Sequence, residues 1–176
     1  MGIQTKKNKK LQNLEPKKTQ QKKLNVVFDV DGVMTTGQFI YSISGKQFKI
    51  FGAHDHDGIK LISKYFNVEF VTADKNGLDI SKKRIENDMG FPLHLVGEIE
   101  RYDFISRRFG LKNTIYMADG IFDVPILRDA KFSIAPKNAR IEARRIADYI
   151  TPSVSGEGAV LDACLKILKL FKIKTK

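Results

Sequence analysis

Two aspartates one residue apart, Asp29 and Asp31, stand directly after the apolar run Leu24-Asn25-Val26-Val27-Phe28 and just before Gly32. A second pair, Asp119 and Asp123, follows the run Thr114-Ile115-Tyr116-Met117-Ala118, with Gly120 between them. A third run, Val68-Glu69-Phe70-Val71, ends in the hydroxyl of Thr72. Taken singly, each motif has an ordinary explanation, because Asp-Gly turns close strands and an acid at a helix start caps it. Capping explains one of these acids. It does not explain acidic tips on two separate strands. Carboxylates gathered without an equal number of cations repel one another, and a hard divalent cation relieves that repulsion. Mg2+ prefers carboxylates, a carbonyl and water, and phosphate oxygens replace some of its waters, so the constellation reads as a Mg2+–phosphate site.

The elements that must position these residues follow from the hydrophobic pattern. The first strand, near 24–30, is continuously apolar, as in a parallel sheet covered on both faces. Phe39, Tyr41 and Ile43 then alternate with polar residues, Ser44-Gly45 turns, and Phe48 and Ile50 resume the alternation, which predicts a β-hairpin over 37–51. Beyond it the spacing predicts helices over 57–66, 77–88, 99–109, 123–129, 138–147 and 157–171. Strands alternate with them at 68–72, 93–96, 114–118, 132–135 and 149–150. Such alternation specifies a parallel sheet with right-handed crossovers, whose chemistry sits at the carboxyl ends of the strands.

With Asp29-Val30-Asp31-Gly32-Val33, Thr72 and Asp119-x-x-x-Asp123 in place, the chain resembles the haloacid dehalogenase superfamily of phosphatases over nearly all of 25–168. Within it, the hairpin 37–51, Asp55-His56-Asp57-Gly58-Ile59, Val96-Gly97, Tyr116-Met117-Ala118-Asp119, Asp123-Val124-Pro125 and Gly156-Glu157-Gly158-Ala159-Val160 resemble the capless 3-deoxy-octulosonate-8-phosphate phosphatases and the related nonulosonate-9-phosphate phosphatases. The resemblance implies a nucleophile at Asp29 that forms an aspartyl-phosphate and a general acid–base at Asp31. It implies Mg2+ held by Asp29, the backbone carbonyl of Asp31 and Asp119, with Asp123 orienting the metal's surroundings. Thr72 and Arg101 are the implied phosphate-binding residues and Asp55 a candidate substrate contact. The implied substrate is an acidic 3-deoxy-2-keto sugar phosphate, and the implied assembly a homotetramer through the hairpin. Three positions depart from the family pattern: Arg101 replaces a lysine, Gly120 an acid and Leu161 an arginine. Should Arg101 lie on the surface, paired with Glu98 or Glu100, the phosphate would fall to Lys75, Lys82 or Lys83.

The expected fold class is α/β: a Rossmann-like three-layer sandwich with a mostly parallel sheet, helices on both faces, and a hairpin protruding after the first strand. A length of 176 residues with 42% hydrophobic content and 12 Phe fits one core. That domain is expected over 24–172, preceded by a disordered basic tail, 1–23. The formal net charge of +11 is concentrated at the ends. Residues 1–24 carry eight Lys and one Glu, residues 165–176 five Lys and no acid, and the body between them 18 basic and 19 acidic residues. Nucleic-acid binding is accordingly disfavoured. The rival reading is a catalytically weak binding module whose basic ends engage RNA, an anionic surface or a partner enzyme. The single cysteine, Cys164, falls on an apolar helix face as a core thiol, His54-Asp55-His56-Asp57 reads as a helix approach, and Lys166, Lys169 and Lys172 read as a solvated stripe. No run approaches a membrane span, the N-terminus lacks the apolar stretch of a secretory signal, and a lone thiol suits a reducing cytoplasm, the expected location.

Overall fold

The computed structural model describes residues 23–173. In it Asn25–Asp29 form β1, five residues that are all buried. Burial on both faces divides the strand between two cores. Val26 and Phe28 join Ile59, Ile62, Val160 and Cys164 on one side, and Val27 joins Ile105, Tyr116, Ile126 and Ala143 on the other. Phe28 stacks on Phe70 with ring centroids 5.6 Å apart.

After β1 the chain turns at Gly32, whose φ of 83° suits glycine and where a Cβ would overlap the Asp119 carboxylate. The hairpin follows as β2 (Thr35–Ser42) and β3 (Gly45–Phe51), antiparallel, and then α1 (His54–Ile62) and β4 (Asn67–Thr72). Next come α2 (Leu78–Lys82), continued by a π-helical segment Lys83–Asp88, then β5 (Leu93–Leu95), α3 (Arg101–Arg108) and a 3-10 turn Leu111–Asn113. The remaining elements are β6 (Thr114–Met117), α4 (Val124–Asp129), β7 (Phe132–Ala135), α5 (Ile141–Ile146), β8 (Tyr149–Ile150) and α6 (Ala159–Leu170).

Outside the hairpin, the strands form one six-stranded sheet in the order β5-β4-β1-β6-β7-β8, with every neighbouring pair parallel. Residues of α1, α6 and the π-helical segment pack on one face, and residues of α3, α4 and α5 on the other. This is the three-layer α/β sandwich that the alternating pattern predicts. Strand order runs outward from β1 in both directions, which makes β1 the topological switch point and opens a crevice at its carboxyl end. Asp29 is the last residue of β1.

The differences from the predicted elements are local. The first helix begins at His54, three residues earlier than expected, and ends at Ile62, where Tyr65 and Phe66 N–H groups both turn back to the Ile62 carbonyl. α5 begins at Ile141 instead of 138, because the Asn138 amide is engaged with Ser155 through Nδ2 to Oγ at 3.0 Å and from the Ser155 N–H at 2.9 Å. Cys164 is buried in the core as expected. The expected basic tail lies, apart from Lys23, outside the described residues. Among the described residues no helix is long and apolar enough to cross a membrane.

Candidate active site

Side chains alternate along β1, so Asp29 points to the face of Val27, where α3 and α4 begin. Asp29 Oδ1 accepts the Val30 N–H at 2.8 Å, and Oδ2 lies 3.2 Å from Arg101 Nη1. That nitrogen also donates to Asp123 Oδ1 at 3.0 Å. Tyr116, from β6, donates its hydroxyl to the same oxygen at 2.6 Å, while Asp123 Oδ2 accepts the Gly120 N–H at 3.2 Å. Asp119 completes the cluster: Asp29, Asp119 and Asp123 each offer a carboxylate oxygen, all within 4.8 Å of one another.

Three carboxylates this close, beside one guanidinium, carry surplus negative charge in a largely dry corner. Burial pushes the Asp29 carboxyl well above the ordinary range; Arg101 pulls it back, and Asp123 and Asp119 push it further up. Burial and Asp123 push Asp119 up to about 7. Burial opposes the charge on Arg101, but Asp29, Tyr116 and Asp123 outweigh it and hold the guanidinium protonated. The donor set is all oxygen and short of positive charge, so it fits a hard divalent cation. Asp123 is the most heavily committed of the three, accepting from Arg101, Tyr116 and Gly120, whereas Asp29 accepts only the Val30 N–H beside its contact with Arg101, so Asp29 and Asp119 are the carboxylates better placed to take one.

A second group stands beside the first. Asp31 Oδ2 accepts from Thr72 Oγ1 at 3.1 Å and from Lys49 Nζ at 2.9 Å. Lys49, from β3, also bonds Ser81 Oγ at 2.8 Å and lies 2.7 Å from Asp74 Oδ2. Lys46 pairs with the same Asp74 oxygen and sits over the Phe39 ring, 3.5 Å from its centroid. Both groups open into one cleft of about 570 Å³, with Lys75, Asn76, Glu98, Ile121 and Phe122 around its mouth. That is room for a sugar phosphate.

Of the residues singled out in the sequence, Asp29, Arg101, Asp119 and Asp123 converge, and Asp31 and Thr72 meet beside them. Arg101 is buried against Asp29 and Asp123, so the surface pairing with Glu98 or Glu100 does not occur. Lys75 reaches the cleft mouth, whereas Lys82 and Lys83 do not line it. The structure does not bring Asp55 to the cleft. Its Oδ1 accepts the Val160 and Leu161 N–H groups at 3.0 and 3.4 Å, tying the first turn of α1 to the start of α6. Four residues of the site were missed by sequence reasoning: Lys46, Lys49, Asp74 and Tyr116. No local signal marks the two lysines, which share the strand Gly45–Phe51 with Gln47 as ordinary polar positions of a hairpin.

No family model matches the chain. It is 30% identical over 160 residues to the 3-deoxy-D-manno-octulosonate 8-phosphate phosphatase of Haemophilus influenzae, covering 85% of this chain and 87% of that protein. The cobalt-bound structure of the H. influenzae phosphatase superposes with a TM-score of 0.71 at 25% identity, covering 82% of this chain and 86% of that one. The Moraxella catarrhalis 3-deoxy-D-manno-octulosonate 8-phosphate phosphatase, solved with magnesium, phosphate and the sugar acid, gives a TM-score of 0.71 at 26% identity over 82% and 85% of the two chains.

The raised Asp119 carboxyl sets a pH dependence. Between its unfolded value and about 7 the folded protein binds the extra proton, so this residue's contribution to stability falls as pH rises through that window. With divalent ions chelated, raising the pH from 5 to 7.5 should therefore cost the native protein more in melting temperature than it costs Asp119→Asn. Adding Mg2+ at pH 7.5 should recover that loss in the native protein only. Parallel pH profiles for the two proteins would contradict the assignment.

Proposed function

Because the chain belongs to the 3-deoxy-D-manno-octulosonate 8-phosphate phosphatase family of the haloacid dehalogenase superfamily and is a phosphatase, we propose that it hydrolyses the phosphate monoester of an acidic 3-deoxy-2-keto sugar, of the octulosonate 8-phosphate type, through an aspartyl-phosphate on Asp29. The observation that carries this reading is the position of Asp29 at the tip of the central strand, against Arg101 and within the carboxylate cluster that opens into the cleft.

In this reading an Asp29 oxygen forms a bond to phosphorus as the bond from phosphorus to the sugar oxygen breaks, and the departing alkoxide takes a proton from Asp31. Asp31, now ionised, removes a proton from water, whose oxygen attacks phosphorus and returns the Asp29 carboxylate. Asp29, Asp119 and the backbone carbonyl of Asp31 would hold Mg2+, which supplies positive charge beside the transferring phosphoryl oxygens. Arg101, beside Asp29, contributes positive charge toward the same oxygens. Its Nε is buried without a hydrogen-bond partner, so the guanidinium retains donor capacity beyond its two carboxylates. Thr72 supplies its hydroxyl to a phosphoryl oxygen when the substrate displaces it from Asp31. Asp123, fixed by Tyr116 and Gly120, holds Arg101 in place. An acidic substrate is supported by Lys75, which is exposed at the cleft mouth and makes no ion pair among the described residues.

The assembly belongs to the same proposal. Phe39, Ile40, Tyr41, Ile43, Phe48 and Ile50 are all exposed on the hairpin, more apolar surface than a protruding ribbon keeps in water. A homotetramer through this hairpin would cover it.

Phosphate release from a panel of monoesters, with and without Mg2+, tests the activity, with the acidic sugar phosphate preferred over its neutral counterpart. Asp29→Asn should abolish turnover and leave the fold intact. Arg101→Ala should lower kcat by about 100-fold or more, as for loss of a preorganised cation, while Arg101→Lys keeps most of the activity. Rates near the native value in both Arg101 variants would remove Arg101 from the mechanism. Light scattering at micromolar concentration should report a tetramer, and Phe48→Ser with Ile50→Ser should dissociate it; a monomeric native protein would contradict the assembly.

A further inference from the structure

The burial pattern of the hairpin is inverted. Along β3, Phe48 and Ile50 face solvent, and the one fully buried side chain is a lysine, Lys49. An ammonium taken out of water is tolerated only where its charge and all its donors are matched. Lys49 meets both conditions. Its three N–H groups are matched by three acceptors: Asp31 at 2.9 Å, Ser81 Oγ at 2.8 Å and Asp74 Oδ2 at 2.7 Å. Asp74 is itself fixed by Lys46 and by the Gly77 N–H, which bonds its Oδ1 at 3.1 Å.

This saturation decides what Lys49 can do. To bind a substrate phosphate directly it would have to abandon one of its acceptors, so it works through the groups that it holds. One of these is Asp31, which follows β1 in a turn and whose other hydrogen-bonding side chain is Thr72. Thr72 is also the hydroxyl that the proposed reaction diverts to the phosphoryl group, and at that moment Lys49 alone would keep the Asp31 carboxyl aimed at the leaving oxygen. We infer that Lys49 is the positioning residue for the acid–base Asp31, and that the hairpin supplies the cleft with a fixed cation from outside the parallel sheet. This rests on the reading of Asp31 given above.

The test separates proton transfer to the leaving group from the rest of the reaction. An alkyl phosphate such as the sugar phosphate needs that proton in the first step, whereas para-nitrophenyl phosphate releases a stable anion without it. In rapid-mixing experiments Lys49→Met should slow the first step with the sugar phosphate by about 100-fold, leave the nitrophenolate burst within a few-fold of native, and leave KM for both esters nearly unchanged. Lys49→Arg should restore part of the lost rate. Ser81→Ala, which removes one anchor and no charge, should show a smaller loss of the same selectivity and serves if Lys49→Met does not fold. Equal losses with both esters, or an effect confined to KM, would overturn the inference. Asp31→Asn is the control. If it shows the leaving-group selectivity and the Lys49 and Ser81 variants do not, the positioning role alone fails; if it lacks the selectivity, the reading of Asp31 itself fails.

Discussion

Charge crowding in a dry corner is the constraint around which this site is organised. Asp29, Asp119 and Asp123 bring carboxylate oxygens within 4.8 Å of one another, and the guanidinium of Arg101 is the one cation that contacts them among the described residues. Burial alone pushes Asp29 and Asp119 toward their neutral forms. A protein that only had to be stable would gain from replacing such a cluster with apolar groups. Its persistence at the mouth of a cleft makes sense for a site that receives further positive charge and then a phosphate.

The fold creates the crowding by simple geometry. β1 is buried on both faces and lies at the switch point of the sheet, so its last residue emerges where the crossovers diverge. Period-two alternation sends Asp29 toward α3 and α4, whose starts carry Arg101 and Asp123. β6, the parallel neighbour of β1, brings Tyr116 underneath and Asp119 just beyond its end. Gly32 then lets the chain turn away in the space left by the Asp119 carboxylate. The hairpin, outside the sheet, closes this arrangement with Lys46 and Lys49. Its lysines face the cleft and the acids around it, and its outer apolar residues are exposed.

Sequence made the sheet legible because its strands are short, mostly apolar runs and helices separate them along the chain. It also made the acidic tips legible, since strand ends in a parallel sheet share one edge and Asp29, Asp31, Thr72, Asp119 and Asp123 all fall there. Arg101 could be nominated but not located, because an arginine beside Glu98 and Glu100 reads equally well as a surface pair. The lysines of the hairpin were illegible for a physical reason. Period-two alternation places polar residues toward water, and nothing local to 45–51 says that this ribbon folds its lysines onto acids from the turn after β1 and the β4–α2 loop. Asp55 failed in the opposite sense: its acid-rich surroundings suggested chemistry, yet its carboxylate joins α1 to the start of α6.

The central claim, that Asp29 is the group phosphorylated, is tested most directly in the Asp31→Asn protein, where hydrolysis of an acyl-phosphate is slowed. The protein would be mixed with Mg2+ and para-nitrophenyl phosphate, quenched in acid, reduced with borohydride and mapped by peptide mass. The account predicts homoserine in place of Asp29 in a substantial fraction of chains and at no other aspartate. Release of nitrophenolate with Asp29 unmodified, or with the label on another carboxylate, would contradict it.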